Sequence, residues 1–300
     1  MPARIPLPDP LRAGPFTTAE ALAAGLGPKR IRGRDLRHPF RGVHSASSEL
    51  DLVGLCRARR RTLPAEAYFC GATAAALMGV PLPVRLERSR TLEIAVPSPR
   101  RAPGGRGVRG HSFATGEGDV RDWHGLRIST PERLWCELGA VLSLPDLVAA
   151  GDFLIHRRLP HTTVEALAEA LTAYPGRRGL RVLTGALPLL DERTESAQES
   201  RMRVIVARGG LGGFEVNLPI TTADGFRYRG DLAFPKARVL LEYQGDHHRD
   251  PEQFRADMTR ISRLEADGWR VLLINAHDLR DPAELLRRIR RTLALASSAR

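Results

Sequence analysis

Two carboxylates, one hairpin apart, are the residues of this chain best suited to chemistry. Asp231 opens the apolar run DLAF, and Glu242 stands near the end of the next, VLLEYQ; Gln244, His247 and His248 follow directly. Side chains alternate across a pleated strand, so Glu242 and Gln244 share a face and Tyr243 takes the other. A turn through Pro235 and Lys236 can bring Asp231 beside Glu242. Two acids brought together repel unless a cation or a proton intervenes. Mg²⁺ takes oxygen ligands and keeps several waters, so Asp231 and Glu242 with a backbone carbonyl suffice to hold it. Mn²⁺ accepts the same donors. A retained water, made more acidic, can attack phosphorus. Gln244 is no base, but its amide can orient that water or a phosphate oxygen. An acid within VLLEYQ also sits where a core strand would carry Val, which argues against an ordinary hairpin charge.

The elements that must position these residues are readable around them. SAQESRMRVIVARGGL predicts an amphipathic helix with Met202, Ile205 and Val206 on its apolar side. FEVNLPI, FRYRGDLAFP and ARVLLEYQ predict three strands, the first two joined by a tight turn at Asp224-Gly225. The stretch 250–268 predicts a helix with Phe254, Met258, Ile261 and Leu264 inward, ended by Asp267-Gly268. WRVLLIN is a buried strand and DPAELLRRIRRTLALA a last helix. The order is α-β-β-β-α-β-α. A helix between the third and fourth strands permits parallel pairing there, while the hairpins make the sheet mixed.

With these motifs in place, the region from about 193 to the C-terminus resembles the PD-(D/E)XK nuclease superfamily. More narrowly, it is similar to the small endonuclease-like domains related to very-short-patch-repair enzymes. Glu199 matches the upstream helical acid and Asp231 the strand aspartate. Glu242, Tyr243, Gln244, Gly245 and His248 match an E-Y-(D/Q)-G-x-x-H segment, Asp257 and Arg260 a helical D-x-x-R, and Gly268-Trp269 a G-W-x-V. The resemblance implies an α/β domain, mixed α+β over the whole chain, with a restriction-endonuclease-like α-β-β-β-α-β core over 193–300. It implies a Mg²⁺-dependent DNA endonuclease or nickase in which Asp231 and Glu242 bind metal, Gln244 positions water, and Glu199 and His248 assist. Gln244 departs from the superfamily pattern, which has Lys there, and removes a cationic water-positioning group. Asp257 and Arg260 are spaced for an i,i+3 ion pair that supports the site.

Residues 1–46 read as a small DNA-binding module. Thr17 with Glu20 forms a capping-box start for AEALAAGL, Gly25 and Gly27 break that helix, PKRIRGRDL forms a second with Pro28 in its first turn, and FRGVHS is a strand. Helix, turn, basic helix, strand is the order of a reduced winged helix-turn-helix. Lys29, Arg30, Arg32, Arg34, Arg37 and Arg41 are placed for groove and phosphate contacts. The pattern PFTTAEALAAGL…FRGVHS resembles the antitoxin-type winged-helix module of the AbiEi family, and 47–190 resembles the α+β domain that follows it. This resemblance implies DNA binding. It keeps open a second function: an antitoxin-like transcriptional regulator with a catalytically idle nuclease-like domain, with a toxin or a second copy of the chain as protein partner.

Within 47–190 the sequence predicts a helix at 47–63, a strand leading through Gly71 into a small-residue helix over AYFCGATAAALMGV, a strand at TLEIAVP, a solvated hairpin loop over 98–110, a strand at HGLRIST, and helices at PERLWCELGAVL, SLPDLVAAGDFLIH and TTVEALAEALTAY, the last capped by Thr162 or Thr163. The region reads as structural, with His124 and His156 as lone polar groups. The 300 residues carry a formal charge of +12, which suits a polyanionic partner such as nucleic acid. All but two of the basic residues are Arg, a bias that GC-rich coding also produces, so charge weighs little. Cys56, Cys70 and Cys136 fit neither a disulfide framework nor a zinc knuckle and read as buried thiols. The N-terminus lacks a signal pattern, and no apolar run reaches membrane-spanning length, so the expected setting is cytoplasmic, without a membrane.

Overall fold

The computed structural model describes residues 5–47, 49–245 and 251–298. The chain is mixed α and β, and it divides into two compact units: Met1–Leu138 with Ala173–Gly176, and Gly139–Thr172 with Arg177–Arg300. The stretch 47–190 contributes to both. Among the described residues no helix is long and apolar enough to cross a membrane.

The first unit opens with α1 (Asp9–Arg12), β1 (Phe16–Thr17), α2 (Thr18–Ala23), α3 (Pro28–Ile31), β2 (Arg37–Phe40) and β3 (Val43–Ser45). The capping box forms: the Thr17 hydroxyl accepts the Glu20 N–H at 3.1 Å, and the Glu20 carboxylate accepts the Thr17 N–H at 2.7 Å. Strand β1 pairs with β3, and β3 with β2 across the Arg41-Gly42 turn, giving the order β1-β3-β2. Leu11, Phe16, Ala21, Leu26, Ile31 and Leu36 fill the space beneath. Helix α3 is one turn long, shorter than PKRIRGRDL suggested. Gly33 does not favour the helical state, and the Leu36 N–H turns back to the Gly33 carbonyl.

The unit continues through α4 (Leu52–Arg60), β4 (Tyr68–Phe69), α5 (Gly71–Met78), α6 (Val84–Glu87), β5 (Leu92–Pro97), β6 (Val108–Phe113), β7 (Val120–Trp123), β8 (Leu126–Ser129) and α7 (Pro131–Leu138). The strands form one sheet in the order β6-β5-β4-β8-β7. Here the hairpin expected over 98–110 is overturned. Strand β6 begins at Val108 and runs parallel to β5, with Leu92 opposite Val108 and Pro97 opposite Phe113. The Pro/Gly-rich segment therefore carries the chain back along the sheet. Gly110 permits this, because a Cβ there would overlap the Pro103 carbonyl.

The second unit holds α8 (Leu144–Leu154), most of α9 (Val164–Ala173), α10 (Leu180–Ala186), α11 (Ala197–Arg208), β9 (Glu215–Thr221), β10 (Arg227–Phe234), β11 (Val239–Tyr243), α12 (Pro251–Ala266), β12 (Arg270–Ile274) and α13 (Pro282–Ser298). From α11 onward this is the expected α-β-β-β-α-β-α order. The sheet order is β12-β11-β10-β9, antiparallel except for the β11–β12 pair, which is parallel. One face packs Met202, Val206, Leu232, Phe234, Val239, Leu241, Ile274, Leu285 and Ile289 together; the other packs Ile220, Ala233, Leu240 and Leu264. Met258 departs from its expected inward place and is 41% exposed. Edge strand β9 carries Pro219 and, at Asn217, a left-handed backbone with φ of 51°. The Asn217 amide donates to the Arg193 carbonyl. Helix α8 packs on α11, tied by an Arg203–Asp152 ion pair at 2.7 Å whose two side chains are both buried.

Candidate active site

Strands β10 and β11 pair with Leu232 opposite Leu241, and one step further that register sets Asp231 opposite Glu242. The two residues bond reciprocally through the backbone. Glu242 Oε1 accepts the Asp231 N–H at 3.1 Å, and Asp231 Oδ2 accepts the Tyr243 N–H at 2.8 Å. Glu242 is 5% exposed, and Asp231 is half-buried. The Tyr228 hydroxyl donates to Glu242 Oε2. Tyr228 was not picked out from the sequence. Its spacing of three from Asp231 gives no local signal, because side chains that far apart alternate to opposite faces of a regular strand; its contact is across strands.

Helix α11 brings Glu199 within electrostatic reach of both acids. Its Ser196 cap fixes the start of the helix, accepting the Glu199 N–H at 3.2 Å, and Glu199 Oε2 accepts the Glu195 N–H at 3.1 Å. Helix α12 places the Arg260 guanidinium 4.9 Å from the centre of the Tyr228 ring, and the expected Arg260–Asp257 pair forms at 3.1 Å. Asp231, Glu242, Glu199, Arg260 and Asp257 thus gather at one end of the sheet. Gln244 lies just past β11, half-buried, its N–H bonded to the Ile274 carbonyl at 2.7 Å. His247 and His248 lie outside the described residues.

Burial pushes the Asp231 carboxyl well above the usual carboxylate range. The neighbouring Glu242 and Glu199 charges add to this, and the Tyr243 N–H and Arg260 oppose it. Burial raises Glu242 as well, against the bonds from Tyr228 and Asp231 and the field of Arg260. Among the described residues neither acid makes an ion pair with a basic side chain. A buried like-charge pair of this kind favours a shared proton or a bound cation. The donors available are all carboxylate oxygens, which keep lone pairs beside the hydrogen bonds they accept. Such a set fits a hard divalent cation such as Mg²⁺ or Mn²⁺.

The basic residues of the N-terminal module divide into two groups. Lys29, Arg32, Arg34, Arg37 and Arg41 are exposed, Arg41 at the tip of the β2–β3 hairpin. Arg30 is held inside the fold: its side chain is 8% exposed, bonded to the Ile5 carbonyl and paired with Asp35 at 2.9 Å. Arg30 is thereby a structural brace, where the sequence had suggested a phosphate contact. His156 joins Arg157, Arg158 and Arg229 around Glu195.

No protein-family model matches the chain. It is similar to two uncharacterized proteins of Mycobacterium tuberculosis, Rv2248 of strain H37Rv and MT2308 of strain CDC 1551. Each is 29% identical over 273 residues, covering 90% of this chain and 97% of the relative. The likeness therefore runs through both units.

Proposed function

We propose that the protein is a Mg²⁺-dependent endonuclease or nickase that hydrolyses phosphodiester bonds in DNA. The observation that carries this reading is the Asp231–Glu242 pair, set side by side on adjacent strands and, among the described residues, in no ion pair with a basic side chain. A bound cation would supply Lewis acidity toward water and neutralise charge on the phosphate. The chain's own residues do the rest. Asp231 and Glu242 hold the cation, and Tyr228 and the Asp231 N–H fix the orientation of Glu242. Gln244 offers an amide to orient water or a phosphate oxygen, and Arg260 brings positive charge in place of the absent lysine. Glu199 adds a third acid. The arrangement of α2 to β3, a helical pair followed by a hairpin packed on β1, supports a winged-helix reading of the N-terminal module, with Lys29, Arg32, Arg34 and Arg41 contacting phosphate.

Gln244 favours a second reading, in which DNA is bound and not cut and the protein acts as an antitoxin-like regulator. One experiment separates the two. Supercoiled plasmid and mismatched or branched duplexes are incubated with the full-length protein in Mg²⁺, Mn²⁺ or EDTA, beside Asp231→Ala and Glu242→Ala. Metal-dependent nicking lost in both variants supports the nuclease. Tight binding with no cleavage, weakened by replacing Lys29, Arg34 and Arg41 with Ala, sinks the nuclease and leaves the regulator.

A further inference from the structure

We infer that Cys70, Glu93 and His111, on one face of the five-stranded sheet, form a second cation site, one selective for a borderline-soft ion such as Zn²⁺. The strand register brings them together. Tyr68 opposite Ala95 and Phe69 opposite Ile94 continue to Cys70 opposite Glu93, and the Cys70 N–H donates to the Glu93 carbonyl at 3.1 Å. On the other side, β5 and β6 pair Glu93 with Arg109 and Ala95 with His111. Alternation then puts Cys70, Glu93 and His111 on the same face of three neighbouring strands.

One ligand atom from each residue, the Cys70 Sγ, a Glu93 carboxylate oxygen and a His111 ring nitrogen, lies within 4.8 Å of the other two. Glu93 Oε2 and His111 Nε2 are 3.7 Å apart. Around a tetrahedral zinc, ligand atoms stand about 3.3–3.8 Å from one another, given bond lengths near 2.0–2.3 Å. The carboxylate–imidazole spacing already matches this, and small side-chain rotations close the rest. One further observation points to a ligand. His111 Nε2 is buried and faces Glu93 Oε2 just beyond hydrogen-bond length, with no closer partner among the described residues. Gly71, at φ 48°, leaves room for the carboxylate, because a Cβ there would overlap Glu93 Oε2. The other Glu93 oxygen is taken by Arg109 at 3.1 Å.

One thiolate, one carboxylate and one neutral imidazole balance a divalent charge and leave one tetrahedral position for water. Sulfur and imidazole separate this site from the all-oxygen pair on β10 and β11, which suits Mg²⁺.

The test uses the reduced full-length protein titrated with Co²⁺, a spectroscopic stand-in for Zn²⁺. The expected result is one equivalent giving thiolate-to-cobalt charge-transfer absorption, displaced by Zn²⁺. The band should vanish in Cys70→Ser and persist in Cys56→Ser, Cys136→Ser and Asp231→Ala. His111→Gln should bind at least about tenfold more weakly, the lower bound for losing even an outer partner. If Cys70→Ser does not fold, the His111→Gln titration decides, because that side chain is partly exposed and the variant retains the sheet. Absence of the band in the wild type, its survival in Cys70→Ser, or unchanged affinity in His111→Gln would overturn the site.

Discussion

The sheets of the two units each bury acids, and they neutralise them in opposite ways. Against the five-stranded sheet, on α7, Glu137 is buried. It accepts the Gly71 N–H at 3.0 Å, the Ser129 hydroxyl at 2.9 Å and Arg133 Nε at 3.1 Å, and Arg133 reaches on to Asp119 at 3.0 Å. Burial still pushes the Glu137 carboxyl up, yet every charge there has a partner inside the fold. In the four-stranded sheet Asp231 and Glu242 face each other. Their partners are N–H and O–H groups, which hold them in place without cancelling their charge. A buried acid paired with arginine completes a fold, whereas two adjacent acids that, among the described residues, feel Arg260 without an ion pair to it keep a like-charge repulsion that a proton or a cation would relieve.

The contrast is breakable. Its largest expected effect is on cleavage: Asp231→Ala or Glu242→Ala should remove several kcal/mol of transition-state stabilisation, on the order of a thousandfold in nicking rate, with the fold intact. A rate within tenfold of wild type would place the chemistry elsewhere. Next is Arg133→Met, which strands Glu137 without its cation and should cost about 3–5 kcal/mol in denaturant unfolding. A much smaller loss would mean that Glu137 is not held by Arg133. Tyr228→Phe should be milder. It removes a hydrogen bond to a buried carboxylate, worth about 1.5–3 kcal/mol of stability and read as a lowered melting temperature, together with weaker Mg²⁺ affinity by calorimetry.

The smallest effect is on pH dependence. Asp231 and Glu242 hold protons more tightly in the folded chain than in the unfolded one. Their contribution to stability is therefore complete below the ordinary carboxylate range and is lost as pH rises toward neutrality. Melting in EDTA should show stability falling across that window. Asp231→Asn should make the slope shallower, leaving the part due to Glu137 and Asp152, which are also raised. Saturating Mg²⁺ should do the same to the wild type. An unchanged slope in Asp231→Asn would show that this pair does not govern it.

Much of the second unit was legible because its signals are local. Apolar runs of strand length, the Asp224-Gly225 turn and the Gly268 helix stop each declare themselves within a few residues, and their order dictates a mixed sheet with one parallel pair. Asp231 and Glu242 were visible as acids in apolar company. Tyr228 was not, because its role depends on a contact across strands. The first unit was harder for the same reason. Nothing local in SPRRAPGGRGVRG distinguishes a hairpin from a return that leaves β5 and β6 parallel; Gly110 decides it through contact with Pro103. Arg30 looked like its exposed neighbours until Asp35 and Ile5 closed around it. Cys70, Glu93 and His111 are far apart in sequence and meet only through register.

The edge strand β9 has a consequence for the protein in bulk solution. A sheet that ends in a straight strand offers its unused N–H and C=O groups to any other chain, and pairing of that kind propagates. Pro219 has no N–H to offer, and the left-handed turn of the backbone at Asn217 bends the edge out of line. Together they make β9 a poor template for a fifth strand. Pro219 and Asn217 thus disfavour pairing of this edge with a second copy of the chain.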